Sequence, residues 1–91
     1  EDMSDLFGDW VPDDWLAQVF TAMAKAPAIV FQLLTKRPER MREYTTQLPW
    51  PLPNVWLGVS VENQRWADAR IPILLDTPAA VRFVSYEPAL G

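Results

Sequence analysis

Ninety-one residues allow one domain at most, yet 49% hydrophobic residues, with five Trp and four Phe, are ample for a core. Cysteine and histidine are both absent, which excludes disulfides, thiolate metal sites, a Cys nucleophile and any Ser-His-Asp or zinc-hydrolase chemistry built from these residues alone. The net charge of −4 is lopsided: residues 1–14 carry six acids and no base, the remaining 77 carry six acids and eight bases, and such a surface argues against nucleic-acid binding.

The opening, Glu1-Asp2-Met3-Ser4, supplies no leading element, so residues 1–91 are expected to form a single α/β segment of a larger domain. The first predicted helix starts near Pro12, with Asp13 and Asp14 placed to favour its positive end. Trp15, Leu16, Val19, Phe20 and Met23 fall on one face at helical spacing, and Pro27 closes the segment. Residues 28–34 read as a strand whose continuous apolar run predicts cover on both sides. A second helix begins near Pro38 and carries Met41, Tyr44 and Leu48 at spacings of three and four. Pro49, Pro51 and Pro53 end it and make residues 48–53 a stiff connection. Residues 55–61 form the second strand. Asn63 is placed to cap a third helix whose buried side is marked by Trp66, Ala67, Ile71 and Leu74, with Pro72 kinking or splitting it. Residues 80–85 form the third strand.

The strands recur roughly every 26 residues, each preceded by a helix. That order implies right-handed crossovers and parallel neighbours. The expected fold is therefore α/β, with consecutive helix–strand units, a parallel sheet and part of a β/α barrel. Three parallel strands leave two open edges, and an open edge is a template for further pairing. A homodimer through those edges is expected if the segment stands alone. No apolar run approaches the ~20 residues of a membrane span, and no signal peptide opens the chain. A soluble, cytoplasmic protein without membrane contact is expected.

Polar groups gather where the strands end. The first strand hands over to Thr35-Lys36-Arg37, the second to Ser60-Val61-Glu62-Asn63, the third to Ser85-Tyr86-Glu87-Pro88. Lys36 and Glu62 are 26 positions apart, Glu62 and Glu87 are 25. In parallel α/β folds these carboxyl ends collect on one face, where ligands bind. Polar strand ends also occur simply because chains return to water, and Glu62 with Arg65, or Glu39 with Arg42, could be ordinary surface pairs. Trp15, Trp56 and Trp66 read as packing residues; Trp10 and Trp50, in loops, suit a lid or a partner contact but read better as core plugs, and no stacking platform for bases is indicated. Gly8, Gly58 and Gly91 are isolated, so no phosphate loop is present.

Four stretches carry a resemblance: SDLF (4–7), FQLLTKRPERM (31–41), NVWLGVSVENQ (54–64) and RIPILLDTPAAVRFVSYEPALG (70–91). In order and spacing they resemble a family of uncharacterised phage-associated proteins, also found in bacterial genomes, whose full-length members are similar to radical S-adenosylmethionine enzymes. The resemblance implies an upstream three-cysteine cluster, further strands beyond residue 91 and a partial barrel. It also implies that the parent holds an iron–sulfur cluster and S-adenosylmethionine. This chain lacks cysteine and would be inactive alone. By the same resemblance Lys36 would meet a cofactor carboxylate, Ser60, Glu62 and Glu87 its ribose or amine, and Ser4-Asp5 would join them at the mouth. Two other readings compete: a non-catalytic α/β binding or accessory module of a phage, and an aldolase-type barrel with Lys36 as amine nucleophile.

Overall fold

The computed structural model describes residues 5–88; Ser4 of the SDLF stretch lies outside them. Three helix–strand units follow one another: α1 (Asp13–Ala24), β1 (Phe31–Thr35), α2 (Pro38–Thr45), β2 (Val55–Val61), α3 (Gln64–Leu75) and β3 (Val81–Tyr86). The strands form one parallel sheet in the order β1-β2-β3. The α/β class, the alternation and the parallel pairing agree with the sequence. Three strands make an open sheet, not a closed barrel.

Local chemistry explains the helix starts. Pro12 precedes α1 in an extended conformation, and Asp13 and Asp14 lie in its first turn, where carboxylates favour the positive helix end. Pro38 occupies the opening turn of α2, a position whose N–H has no intrahelical partner in any case. The Asn63 side chain accepts a hydrogen bond from the Trp66 amide and caps α3. Pro72 sits inside α3, which runs unbroken through it. Asn54 ties the end of α1 to the sheet: its amide nitrogen donates to the carbonyls of Met23, Ala26 and Ile29, each at 3.0 Å.

Sheet register sorts the strand residues onto two faces. Phe31, Leu33 and Thr35 align with Val55, Leu57 and Val59; Val59 and Val61 align with Val84 and Tyr86. The β1 and β2 residues of this face meet the helices, whereas Val84 and Tyr86 of β3 are exposed. Val55, Leu57, Val59 and Val61 are buried with Leu16, Phe20 and Met23 of α1, Met41 and Tyr44 of α2, and Leu74 of α3. The aromatic rings of Phe7, Tyr44 and Trp50 surround Phe20 at centroid distances of 5.5 to 6.3 Å. Trp50 also donates from its indole nitrogen to the Pro78 carbonyl.

The opposite face carries Gln32, Leu34, Trp56, Gly58, Ser60, Phe83 and Ser85, and none of these belongs to the core. Consecutive parallel strands joined by right-handed crossovers put all their helices on one side, so no helix covers this face among the described residues, although Gly58 and Ser60 of the central strand are buried by their neighbours. Here the structure corrects the expectation that the first strand is covered on both sides. Leu34 is exposed, and Ile29 and Val30 precede β1 in the open. Trp15 is likewise exposed rather than packed, since Leu16, Phe20 and Met23 define the buried stripe of α1, and Trp66 is exposed on α3, whose buried residues are Arg70 and Leu74. At Gly58 the Phe83 ring lies so close that an added Cβ would meet it at 2.5 Å. No helix among the described residues is long and apolar enough to cross a membrane.

Candidate functional site

The cluster is built from the three strand ends. Thr35, the last residue of β1, is 1% exposed, and its hydroxyl donates to Asp5 Oδ2 at 2.9 Å while accepting from the Arg37 amide at 2.9 Å. The Lys36 amide donates to the same Asp5 oxygen at 3.1 Å. The Phe7 amide donates to Asp5 Oδ1 at 3.0 Å. Arg37 comes within 3.8 Å of Asp5 and lies over the Trp10 ring, 5.1 Å from its centroid. Asp5 is therefore buried beneath the Thr35-Lys36-Arg37 step, where it fixes the backbone from which Lys36 projects. The buried Asp5 carboxylate thus holds the Thr35 hydroxyl and the Lys36 amide, while the Lys36 ammonium turns to Glu62.

The end of β2 supplies Ser60 and Glu62. Ser60 is buried, and its hydroxyl donates to Glu87 Oε2 at 2.8 Å. The Ser85 hydroxyl reaches the same oxygen at 3.0 Å, while the Glu87 amide extends the ladder to the Val61 carbonyl at 2.8 Å. Glu62 faces two cations: Lys36 Nζ lies 3.3 Å from Oε1, and Arg70 Nη1 lies 3.1 Å from Oε2. Arg70 also donates to the Ser60 carbonyl at 2.6 Å. Partial burial pushes the Glu62 carboxyl up, but the hydrogen bond and charge of Arg70, with the bonds from Lys36 and its own backbone, outweigh this and hold it below the ordinary glutamate value.

All five residues singled out from the sequence thus meet at one end of the sheet. Lys36 pairs with Glu62, Ser60 with Glu87, and Asp5 supports Lys36 from below. The surface pairs read from the sequence do not form. Glu62 takes Lys36 and Arg70 instead of Arg65, and Arg42 reaches Asp76 at 3.1 Å. Trp10 serves as a half-buried platform for Arg37. Two participants escape the strand-end reading. Ser85 was seen only as part of a polar ending, and Arg70 stands a full helical segment away. Its signal is nevertheless present, since residue 70 shares a helix face with Trp66, Ala67, Ile71 and Leu74, an odd place for a cation.

Chemically the arrangement offers a half-exposed ammonium at Lys36, a carboxylate at Glu87 already holding two hydroxyls, and a neutralised Glu62 between them. Such a row can orient a ligand that carries both charges. No group of three or more His, Cys, Asp or Glu side chains suited to a metal ion occurs among the described residues.

Comparison with known proteins supplies a family. The chain matches, over residues 1–91, the family described as Protein of unknown function (DUF5131), and it belongs to that family. No curated protein and no solved structure matches it.

Proposed function

We propose that this member of a family of unknown function forms one arc of a radical S-adenosylmethionine barrel, and that Lys36, Ser60, Glu62 and Glu87 line the ligand face of the parent enzyme. The observation that carries the reading is the position of these groups. They sit at the carboxyl ends of parallel strands, at one end of a sheet whose other face is uncovered. In parallel barrels the helices lie outside, and the ligand is held by residues at those strand ends. The uncovered face, with Leu34, Trp56 and Phe83, would be the barrel interior, completed by further strands.

The donor set fits S-adenosylmethionine but not the cluster. Glu87 can accept from an ammonium or from ribose hydroxyls, Lys36 can donate to a carboxylate, and Asp5 holds the Lys36 backbone in place. With no cysteine in the chain, iron–sulfur ligation falls to residues elsewhere in the parent. When bound, such a cluster supplies the electron for reductive cleavage of S-adenosylmethionine. This chain's residues would bind and orient the ligand; they carry no step of that cleavage. A phage-related setting completes the proposal, supported by the resemblance of the four sequence stretches.

The test uses the intact parent, reconstituted with iron and sulfide and reduced. Absorbance of a cluster and release of deoxyadenosine from S-adenosylmethionine are expected. A parent with neither would sink the reading and favour a non-catalytic binding or accessory module. The segment by itself should cover the open edges of β1 and β3 by self-association; a monomeric mass by light scattering, with a cooperative melt, would count against that.

A further inference from the structure

We propose that Arg70 is the permanent counter-ion of Glu62 and a positioning residue for the strand-end cluster, with Lys36 as the exchangeable partner of the same carboxylate. The case begins with the place of Arg70 in α3. It is 8% exposed, on the helix face that also carries Leu74, Ala67 and Ile71. Long side chains on a helix run back toward its N-terminus, and here that direction leads to the end of β2. The guanidinium meets the Ser60 carbonyl at 2.6 Å and both Glu62 oxygens at 3.1 and 3.3 Å. Trp66, one turn earlier, lies beneath it with 4.4 Å between guanidinium carbon and ring centroid. All three polar contacts run through Nη1, while Nε is buried without a hydrogen-bond partner among the described residues, so the strand end holds one edge of the guanidinium and the Trp66 ring one face.

Lys36 makes a different kind of contact with the same group. Its side chain is 43% exposed against 10% for Arg70. A half-exposed lysine pair is weak, costs side-chain freedom and is screened by salt. A buried arginine pays heavily if its carboxylate is taken away, so Arg70 and Glu62 hold each other whatever Lys36 does. The other charged groups nearby have partners of their own: Asp5 accepts from the Thr35 hydroxyl and Lys36 amide, Arg37 approaches Asp5 and lies over Trp10, Glu87 accepts from Ser60 and Ser85, and Arg65 lies over Trp66. A ligand anion that recruits Lys36 would leave Glu62 oriented and neutralised.

This deepens the ligand-face reading and rests on it only for the use made of Lys36, because its test contains no ligand. Glu62 is followed in the full-length protein by carbon-13 NMR of labelled glutamate carboxyls, assigned with Glu62→Gln, across an acid titration. Lys36→Met should raise the Glu62 midpoint slightly, Arg70→Gln should raise it more, and Arg70→Lys should recover part of the difference. A displacement by Lys36→Met equal to or larger than that of Arg70→Gln overturns the proposal, as does a folded Arg70→Gln protein with an unmoved midpoint. If Arg70→Gln does not fold, Lys36→Met still decides. Its Glu62 must keep a midpoint below the ordinary glutamate value, and a return to that value overturns the assignment.

Discussion

Replacing Asp5 by alanine should loosen the whole first strand end. Asp5 is 5% exposed and accepts from the Thr35 hydroxyl and from the Lys36 and Phe7 amides, at 2.9, 3.1 and 3.0 Å. The hydroxyl can rotate to another acceptor, but the two amides are fixed by the backbone. A buried donor left without a partner costs ~1–3 kcal/mol; the Phe7 amide is buried and the Lys36 amide only part-buried, which together place the loss at about 3 kcal/mol, with Arg37 adding little through its longer 3.8 Å approach. For a domain of this size each kcal/mol is worth about 4–8 °C, so a fall of roughly 12–24 °C is expected in thermal unfolding followed by tryptophan fluorescence. Asp5→Asn should lie between, keeping one acceptor oxygen and turning an amide toward the remaining donors. Thr35→Val shares a partner with Asp5, so the double variant should lose less than the two single losses together, by about 0.5–3 kcal/mol. A loss under about 0.5 kcal/mol, the scale of an ordinary surface change, would refute the role of Asp5 as the anchor of this end.

Leu57 is fully buried in the central strand, and Leu57→Ala should cost about 3–5 kcal/mol through lost contacts and the cavity left behind, read by urea unfolding. Gly58→Ala drives a Cβ to 2.5 Å from the Phe83 ring; because that ring lies on the uncovered face it can turn away, and a cost of about 1–2 kcal/mol is expected, recovered in part when Phe83→Leu is added. The lowered Glu62 carboxyl gives a pH-dependent term. A depressed folded value stabilises the protein above the ordinary glutamate range and is lost as pH falls through that folded value. The stability advantage of the native protein over Glu62→Gln should therefore be full near neutrality and vanish on acidification. A difference unchanged with pH would contradict it.

Much of the fold is legible because periodicity and punctuation agree. Asn63 stands where a cap is needed, Pro38 where a helix can begin, and β2 falls on residues 55–61 as read from the sequence. The errors share one physical cause: a run of apolar residues says that burial is possible, not what will cover it. Ile29, Val30 and Leu34 continue such a run, yet the crossovers place the helices on the other face. Trp15 lies next to the buried stripe of α1 rather than on it. In the candidate site, Lys36, Glu62 and Glu87 stand out by their recurrence at strand ends, and Ser60 enters through the family resemblance. Arg70 was missed because its partner comes from tertiary contact with β2, and a cation on an apolar helix face was the sole hint. The step from Leu34 to Lys36 was visible; the buried Asp5 that explains it lies 31 positions from Lys36 in the chain.

The most direct test of the ligand face is equilibrium binding of S-adenosylmethionine to the full-length protein. Glu87→Gln and Lys36→Met should each weaken binding by about tenfold or more, which corresponds to roughly 1.4 kcal/mol. Arg42→Ala, whose partner Asp76 lies just past the other end of α3, should leave it unchanged. Binding that is absent in the native protein, or equally strong in both strand-end variants, would contradict the assignment.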